Sequence, residues 1–551
     1  MNVLFFVALL FTGVVNGEEP LAQTSNGPYK GAYLPEFDQD AFLGIPYAQP
    51  PVGELRFEPA KEVSETWGEV RNATVYQNSC YWTGNGFDNE GLNVSEDCLT
   101  LNIVRPAGYA HTKLPVGVWI HGGGFNWGAS QRDVYNLSYP VEQSVKGGTP
   151  IVAVSVNYRL SGWGFLASKD IVKNKKANNG ILDQRLALKW VERNIEAFGG
   201  DPNQVTIWGE SAGGMSVALH ITGYGGEDAE TLFHRGIMES GAVETNSFNS
   251  MDDFEANYDN VTKQVGCNDA DDTLACLKKV PAGQLNDIFN QSSLKYAPVL
   301  DGELIPDYPN NLMDQGKFAK IPVIVGANMD EGTSFGLGNV NTTDEVVQGL
   351  QMVYPNIVNS TAKRLLEYYP NDPSQGCPFG TGDAYSNETW GLQYKRANAI
   401  LGDIKMIGPR RRMAKDMSKF GLPVYSYNWN QSDYSFDGTK PPIATHFHEV
   451  VYVFHNPNWN NQSHADIIGP DPDGSKMQLA DLTSRFFMSF IATGDPNNAQ
   501  VDTDHPYWPR YLESQQNMYF EAKNTHVEDD NYRATPIHFI NYEVDNQITS
   551  I

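Results

Sequence analysis

The sequence predicts an α/β fold with a large, mostly parallel central sheet flanked by helices. Two observations carry that expectation. Apolar runs at residues 115–120, 151–156, 205–208 and 321–325 have the length and composition of strands buried on both faces. They alternate with helical stretches such as 182–198, the order from which parallel sheets are built. A further segment, 481–493, reads as a late amphipathic helix stopped by Gly494, Asp495 and Pro496.

The run 205–208 leads directly into Gly209, Glu210, Ser211, Ala212 and Gly213, with small residues after it. A sharp strand-to-helix turn of this kind lifts a serine Oγ above a sheet, and glycines are needed where the backbone doubles back. Ser211 is therefore the candidate nucleophile. Ninety residues earlier, His121, Gly122, Gly123, Gly124 and Phe125 follow the strand-like run 114–120. A glycine triplet at a strand exit leaves backbone N–H groups bare enough to bind an oxyanion. Gly123 and Gly124 are assigned as donors, joined by the N–H of Ala212. A flexible turn is the plainer reading of the triplet taken alone.

These blocks are accompanied by LGIPYAQPPVGELRF (43–57), SEDCLTLNI (95–103), NYRLSGWGFL (157–166), NNGILDQRLALKWVERNIEAFGGDP (178–202) and FHRGIMESGA (233–242). In that order, over nearly the whole chain, they resemble the type-B carboxylesterases, a family that includes cholinesterases and the larger fungal lipases. LGDIKMIGPRRR (401–412) looks closest to secreted fungal members. The resemblance implies an α/β-hydrolase fold and hydrolysis of carboxylic esters. It also implies a triad acid after Ser211 at a strand end. Glu331, just before Gly332, takes that position, with Asp330 as rival. Alignment on Glu449 and Val450 selects His446 as base and leaves His448 as fallback. The bulky Phe447 departs from the small residue usual after that histidine. Neutral His446 would take the Ser211 proton, Glu331 would orient the imidazole, and Gly123, Gly124 and Ala212 would bind the oxyanion of an acyl-enzyme mechanism. A neutral imidazole places the rising limb of kcat/KM at about pH 6 to 7. The chemistry calls for no cofactor and no metal.

By the same resemblance Cys80 pairs with Cys98 and Cys267 with Cys276, which leaves Cys377 over. Each closed loop contributes about 3 kcal/mol in a chain-entropy estimate. Arg56 is expected to meet Glu96, and Arg159 to meet Asp183, bracing the loops around the site. Taken alone, the same residues read as surface charge, worth under about 1 kcal/mol.

Residues 3–15 form an apolar run too short to span a bilayer, and Val15 to Gly17 offer small residues for a signal peptidase. Residues 1–17 therefore read as a signal peptide and 18–551 as one domain of a secreted, extracellular protein. Sequons at Asn72, Asn93, Asn136, Asn260, Asn290, Asn341, Asn359, Asn387, Asn430 and Asn461 fit a glycosylated surface. A formal charge of −27 argues against nucleic acid and anionic membrane as partners. No second apolar run suits a membrane anchor, and the oligomeric state is unknown from the sequence.

The functional expectation is a secreted serine carboxylesterase acting on small apolar esters of short or medium acyl chain. A triacylglycerol lipase or sterol esterase shares its chemistry. A catalytically silent, cholinesterase-like binding protein is the alternative of another class, opposed by retention of Ser211, Glu331, His446 and the glycine triplet. Between Cys80 and Cys98, glycines at 84, 86 and 91 and acids at 88, 90, 96 and 97 preclude a broad apolar lid. No interfacial activation is expected.

Overall fold

The computed structural model describes residues 19–83, 91–227, 229–243, 250–432, 439–456 and 471–549. Eleven strands form one sheet: β1 (Ala32–Leu34), β2 (Gln39–Pro46), β3 (Thr100–Pro106), β4 (Leu114–Ile120), β5 (Val152–Val156), β6 (Gly200–Glu210), β7 (Arg235–Glu239), β8 (Val323–Asn328), β9 (Val424–Trp429), β10 (Gln516–Phe520) and β11 (His526–Asp529). Their order across the sheet is β11-β10-β9-β8-β7-β6-β4-β5-β3-β2-β1. The run from β5 to β10 is parallel throughout, whereas β1, β2 and β3 at one edge and β11 at the other pair antiparallel.

Helices cover both faces. They include α1 (Ser138–Lys146), α2 (Asn179–Asn194), α3 (Ala212–Thr222), α4 (Thr343–Val353), α5 (Asn359–Tyr368), α6 (Tyr394–Gly402), α7 (Gly408–Ser418) and α8 (Ser475–Thr493). Along β8, Val323 and Val325 enter a core with Leu188 of α2, Val217 of α3 and Met413 of α7. Ile324 points the other way, into a core with Val141 of α1 and Phe486 of α8. Burial on both faces explains why these strands read as continuous apolar runs rather than as alternations. Helices α4, α5 and α6, inserted between β8 and β9, bury Val346, Leu365 and Ile400 in a smaller core of their own.

Two helices differ from the sequence expectation. The 182–198 pattern divides into α2 and a 3-10 turn, Ile195–Phe198, closed by Gly199 at φ 82°. The 481–493 segment begins earlier, at Ser475, where the Asp471 carboxylate accepts the N–H groups of Lys476 and Met477. It is also buried almost all round from Leu482 to Ala492. The sheet covers one side and α1 another, while Arg485 is satisfied by Gln143 and Asp502.

Disulfides join Cys80 to Cys98 and Cys267 to Cys276, and Cys377 is a buried thiol. One guanidinium connects the two closed loops. Arg56 forks onto both Glu96 oxygens at 2.6 and 2.8 Å and donates to the carbonyls of Lys278 and Val280, just beyond Cys276. Arg159 forks onto Asp183 at 2.7 and 2.6 Å, with side chains 5% and 0% exposed. That burial replaces the surface-charge reading, because losing one partner of a buried pair costs about 3–5 kcal/mol. Asn72, Asn93, Asn260, Asn290, Asn341 and Asn359 are exposed, whereas Asn136, Asn387 and Asn430 are half-buried; Asn461 lies outside the described residues.

Candidate active site

Ser211 occupies the single residue between β6 and α3, at φ 56° and ψ −124°. Glycine is required around it by contact. A Cβ at Gly213 would stand 2.0 Å from the carbonyl oxygen of Ile120, and one at Gly209 would stand 2.5 Å from Gly213. The left-handed conformation of Ser211 is strained for an L-residue. It is held by its N–H bond to the Glu239 carbonyl at 2.9 Å and by its own carbonyl, which accepts from Met215 at 2.8 Å.

The glycine triplet leaves β4 directly beside this elbow, since a Cβ at Gly122 would lie 3.0 Å from Ser211 Cβ. Gly123 and Gly124 adopt φ values of 103° and 60°. Among the described residues, their N–H groups make no bond within the chain, and Ala212, first residue of α3, has no intrahelical acceptor. Their carbonyl sides are occupied. The Gly122 carbonyl lies 2.9 Å from His121 Nδ1, and the Gly123 carbonyl accepts from Asn126 and Trp127 N–H at 3.0 and 3.1 Å.

His446 comes from the loop after β9, with its side chain 14% exposed. Its Nδ1 donates to Glu331 Oε2 at 2.7 Å. Phe335 packs edge-on against the ring at 4.7 Å. Glu331 is fixed through its other oxygen, which accepts from Ser240 Oγ at 2.5 Å and Asn328 N–H at 2.9 Å. The rival residues lie elsewhere. Asp330 is buried and ties two loops together, accepting from Phe379 N–H at 2.8 Å and Ala444 N–H at 3.0 Å, and burial pushes its pKa up to about 6. His448 Nδ1 lies 3.2 Å from Ser432 Oγ, and burial pulls its pKa down to about 4. Phe447 holds the left-handed φ of 77° where a small residue would be unstrained, and its ring meets Tyr135 edge-on.

Three further acids surround this pair. Glu210 Oε1 lies 3.1 Å from His446 Nε2, and burial raises its pKa well above the usual range. Glu449 is held by Asn328 Nδ2 at 2.5 Å and lies 3.2 Å from Ser240 Oγ; burial first, then the Glu331 charge, raises it to about 7. Glu239 accepts the indole N–H of Trp208 and is likewise raised by burial. Burial alone would lower the His446 pKa, but Glu210 and Glu331 outweigh it and hold the group near 9. This differs from the ordinary histidine range expected from the sequence. Glu210, Glu239 and Ser240 stood in motifs read only as markers, and Glu449 served only to align His446.

A strand-to-helix serine, an imidazole on a buried carboxylate and a facing glycine turn define a serine hydrolase. The chain belongs to the Carboxylesterase family, whose sequence model matches residues 18–540. It is 34% identical over 539 residues to Secreted lipase 1 of Botryotinia fuckeliana, covering 91% of this chain and 89% of that one. Lipase 5 of Diutina rugosa is 35% identical over 547 residues, 91% of this chain and 93% of the relative. Among solved structures, Aspergillus niger EstA superposes with a TM-score of 0.83 at 28% identity, covering 96% of this chain and 99% of EstA. The chain is thus a secreted serine carboxylic ester hydrolase with the α/β-hydrolase fold.

Proposed function

We propose that Ser211, His446 and Glu331 form the catalytic triad, that Gly123, Gly124 and Ala212 bind the oxyanion, and that the substrates are soluble esters of short or medium acyl chain. The observation that carries the triad is the 2.7 Å bond from His446 Nδ1 to Glu331 Oε2, made beside the elbow that presents Ser211. Nδ1–H bonded to a carboxylate leaves Nε2 as the basic nitrogen. It takes the Ser211 proton as Oγ attacks the ester carbonyl, and returns it to the departing alcohol. Water then repeats the sequence on the acyl-enzyme.

The acyl preference rests on the loop between Cys80 and Cys98. Its ends are fastened. Tyr81 stacks on Trp163 at 5.2 Å, Thr83 N–H donates to Asn126 at 2.9 Å, and Val94–Ser95 pairs with Ser79–Cys80. Residues 84–90 lie outside the described residues, and the case against an apolar lid there remains one of composition. Relatives named as lipases keep triacylglycerol hydrolysis as the second reading. Residues 1–17 are proposed to be a signal peptide and 18–551 a single domain, in agreement with a family match that begins at residue 18.

A panel of p-nitrophenyl esters of rising acyl length, with organophosphate labelling mapped by mass spectrometry, tests this reading. The expected result is stoichiometric label on Ser211 and a rate that falls at long acyl chains. Label on another serine refutes the triad. A sharp rise in rate as tributyrin droplets form, with good turnover of long-chain triglycerides, promotes the lipase reading.

A further inference from the structure

We propose that His121 is a positioning residue for ester hydrolysis, aiming the Gly123 N–H at the oxyanion by holding the opposite end of the same peptide group. The inference rests on the proposed oxyanion assignment and adds to it a residue that lies outside the triad and the hole.

A trans peptide carries its C=O and N–H on opposite sides. Whatever pins the carbonyl therefore aims the N–H. In the Gly123–Gly124 peptide the pin is backbone: the Gly123 carbonyl accepts from Asn126 and Trp127 N–H. In the Gly122–Gly123 peptide the pin is a side chain, because the Gly122 carbonyl lies 2.9 Å from His121 Nδ1. A carbonyl only accepts, so Nδ1 carries the hydrogen. Nε2 is buried with no hydrogen-bond partner among the described residues, which suits a bare lone pair better than a bare N–H.

The ring is itself fixed. It is 1% exposed and stacks on Tyr158 at 4.5 Å with 21° between planes, while Tyr158 OH donates to the His121 carbonyl at 2.8 Å. Arg132 is the charged group that acts on it, and burial with that charge pulls the His121 pKa to about 4, the bond to Gly122 opposing. The imidazole thus stays neutral at any pH at which an ester hydrolase with a neutral base works. Glycine at 128 is part of the arrangement. A Cβ there would stand 2.6 Å from His121 Nδ1 and 2.8 Å from the Gly122 oxygen, forcing itself into the bond.

Two substitutions separate the donor from the ring. Asn places an amide nitrogen near the position of Nδ1 but discards the stack on Tyr158. Phe keeps the stack and discards the donor. A misaimed oxyanion donor acts on the transition state, so His121→Phe is expected to lose kcat about 10- to 100-fold with little change in KM. Affinity for an alkyl trifluoromethyl ketone should fall by the same factor, since its adduct with Ser211 carries the oxyanion. His121→Asn should recover most of both losses. Equal or greater loss in the Asn variant, or wild-type kcat in the Phe variant, overturns the proposal. Should the Phe variant fail to fold, the Asn variant alone decides, because a packing role predicts its failure and a donor role its activity. An independent readout needs no turnover. In protein labelled with ring-15N histidine, the signal missing from His121→Asn should report a neutral ring protonated at Nδ1. The Nε2–H tautomer refutes the proposal whether or not Ser211 hydrolyses esters.

Discussion

His446 Nε2 lies 3.1 Å from Glu210 Oε1, so the imidazole that bonds Glu331 through one nitrogen faces a second carboxylate through the other. Glu210 immediately precedes Ser211 in the chain, and its carboxylate is therefore delivered to the proposed base by the same turn that presents the proposed nucleophile.

The pH profile should carry this relationship. Glu210 and Glu331 hold His446 near 9 against the effect of burial, and the protonated ring is inactive as a base. The rising limb of kcat/KM should therefore stand above the ordinary histidine range and belong to the His446–Glu210 pair rather than to one group. Glu210→Gln removes a negative charge from the imidazolium, so its limb should move to lower pH. Profiles between about pH 5 and pH 10 test this; coincident limbs remove Glu210 from the account.

Replacement of adjacent residues should separate catalysis from support. Glu331→Gln should cost roughly 10⁴-fold in kcat, as loss of a triad carboxylate does elsewhere. Asp330→Asn should keep most activity and lose stability, because its carboxylate bonds two backbone N–H groups and not His446. Likewise His446→Ala should be inactive and His448→Ala active. Steady-state rates paired with thermal melts decide, and a reversed order in either pair moves the triad.

The Arg159–Asp183 pair should behave as a buried one. Arg159→Met leaves a carboxylate at 0% exposure without its partner and should cost about 3–5 kcal/mol. The double variant with Asp183→Leu should regain part of that loss. Denaturant unfolding measures both, and a cycle coupling near zero dismisses the bracing role.

Glycan occupancy should follow the freedom of each amide. Asn72 and Asn359 are exposed, and each has exposed apolar neighbours: Val70 and Val75 for the first, Val358 for the second. Asn430 is half-buried, with its amide nitrogen bonded to Glu521 at 3.1 Å. Peptide mapping after enzymatic deglycosylation in heavy-oxygen water is expected to mark Asn72 and Asn359 and to leave Asn430 unmarked; the opposite pattern rejects the rule.

The elbow was legible in the sequence because its glycines answer a steric demand within five residues. The central strands were legible because burial on two faces leaves unbroken apolar runs. The acids around His446 were not. Glu210, Glu239 and Glu449 converge from three separated segments, and nothing in a polar residue's own neighbourhood tells a surface acid from a buried one. α8 departs from the amphipathic reading for a related reason: Arg485, a charged residue in its middle, is buried with the helix and bonds Gln143 and Asp502. The Arg410 and Arg411 guanidiniums, noticed only as a sequence pattern, close around the single carboxylate of Asp530 and tie α7 to the end of the sheet.

The Arg56 clasp has a consequence for how such an enzyme changes over generations. With Glu96 gripped on one side and the carbonyls of Lys278 and Val280 on the other, the C-terminal end of the first disulfide loop is riveted to the segment just beyond the second. Loss of Arg56 or Glu96 would loosen two segments at once, so lasting change in either is confined to positions that leave this grip intact.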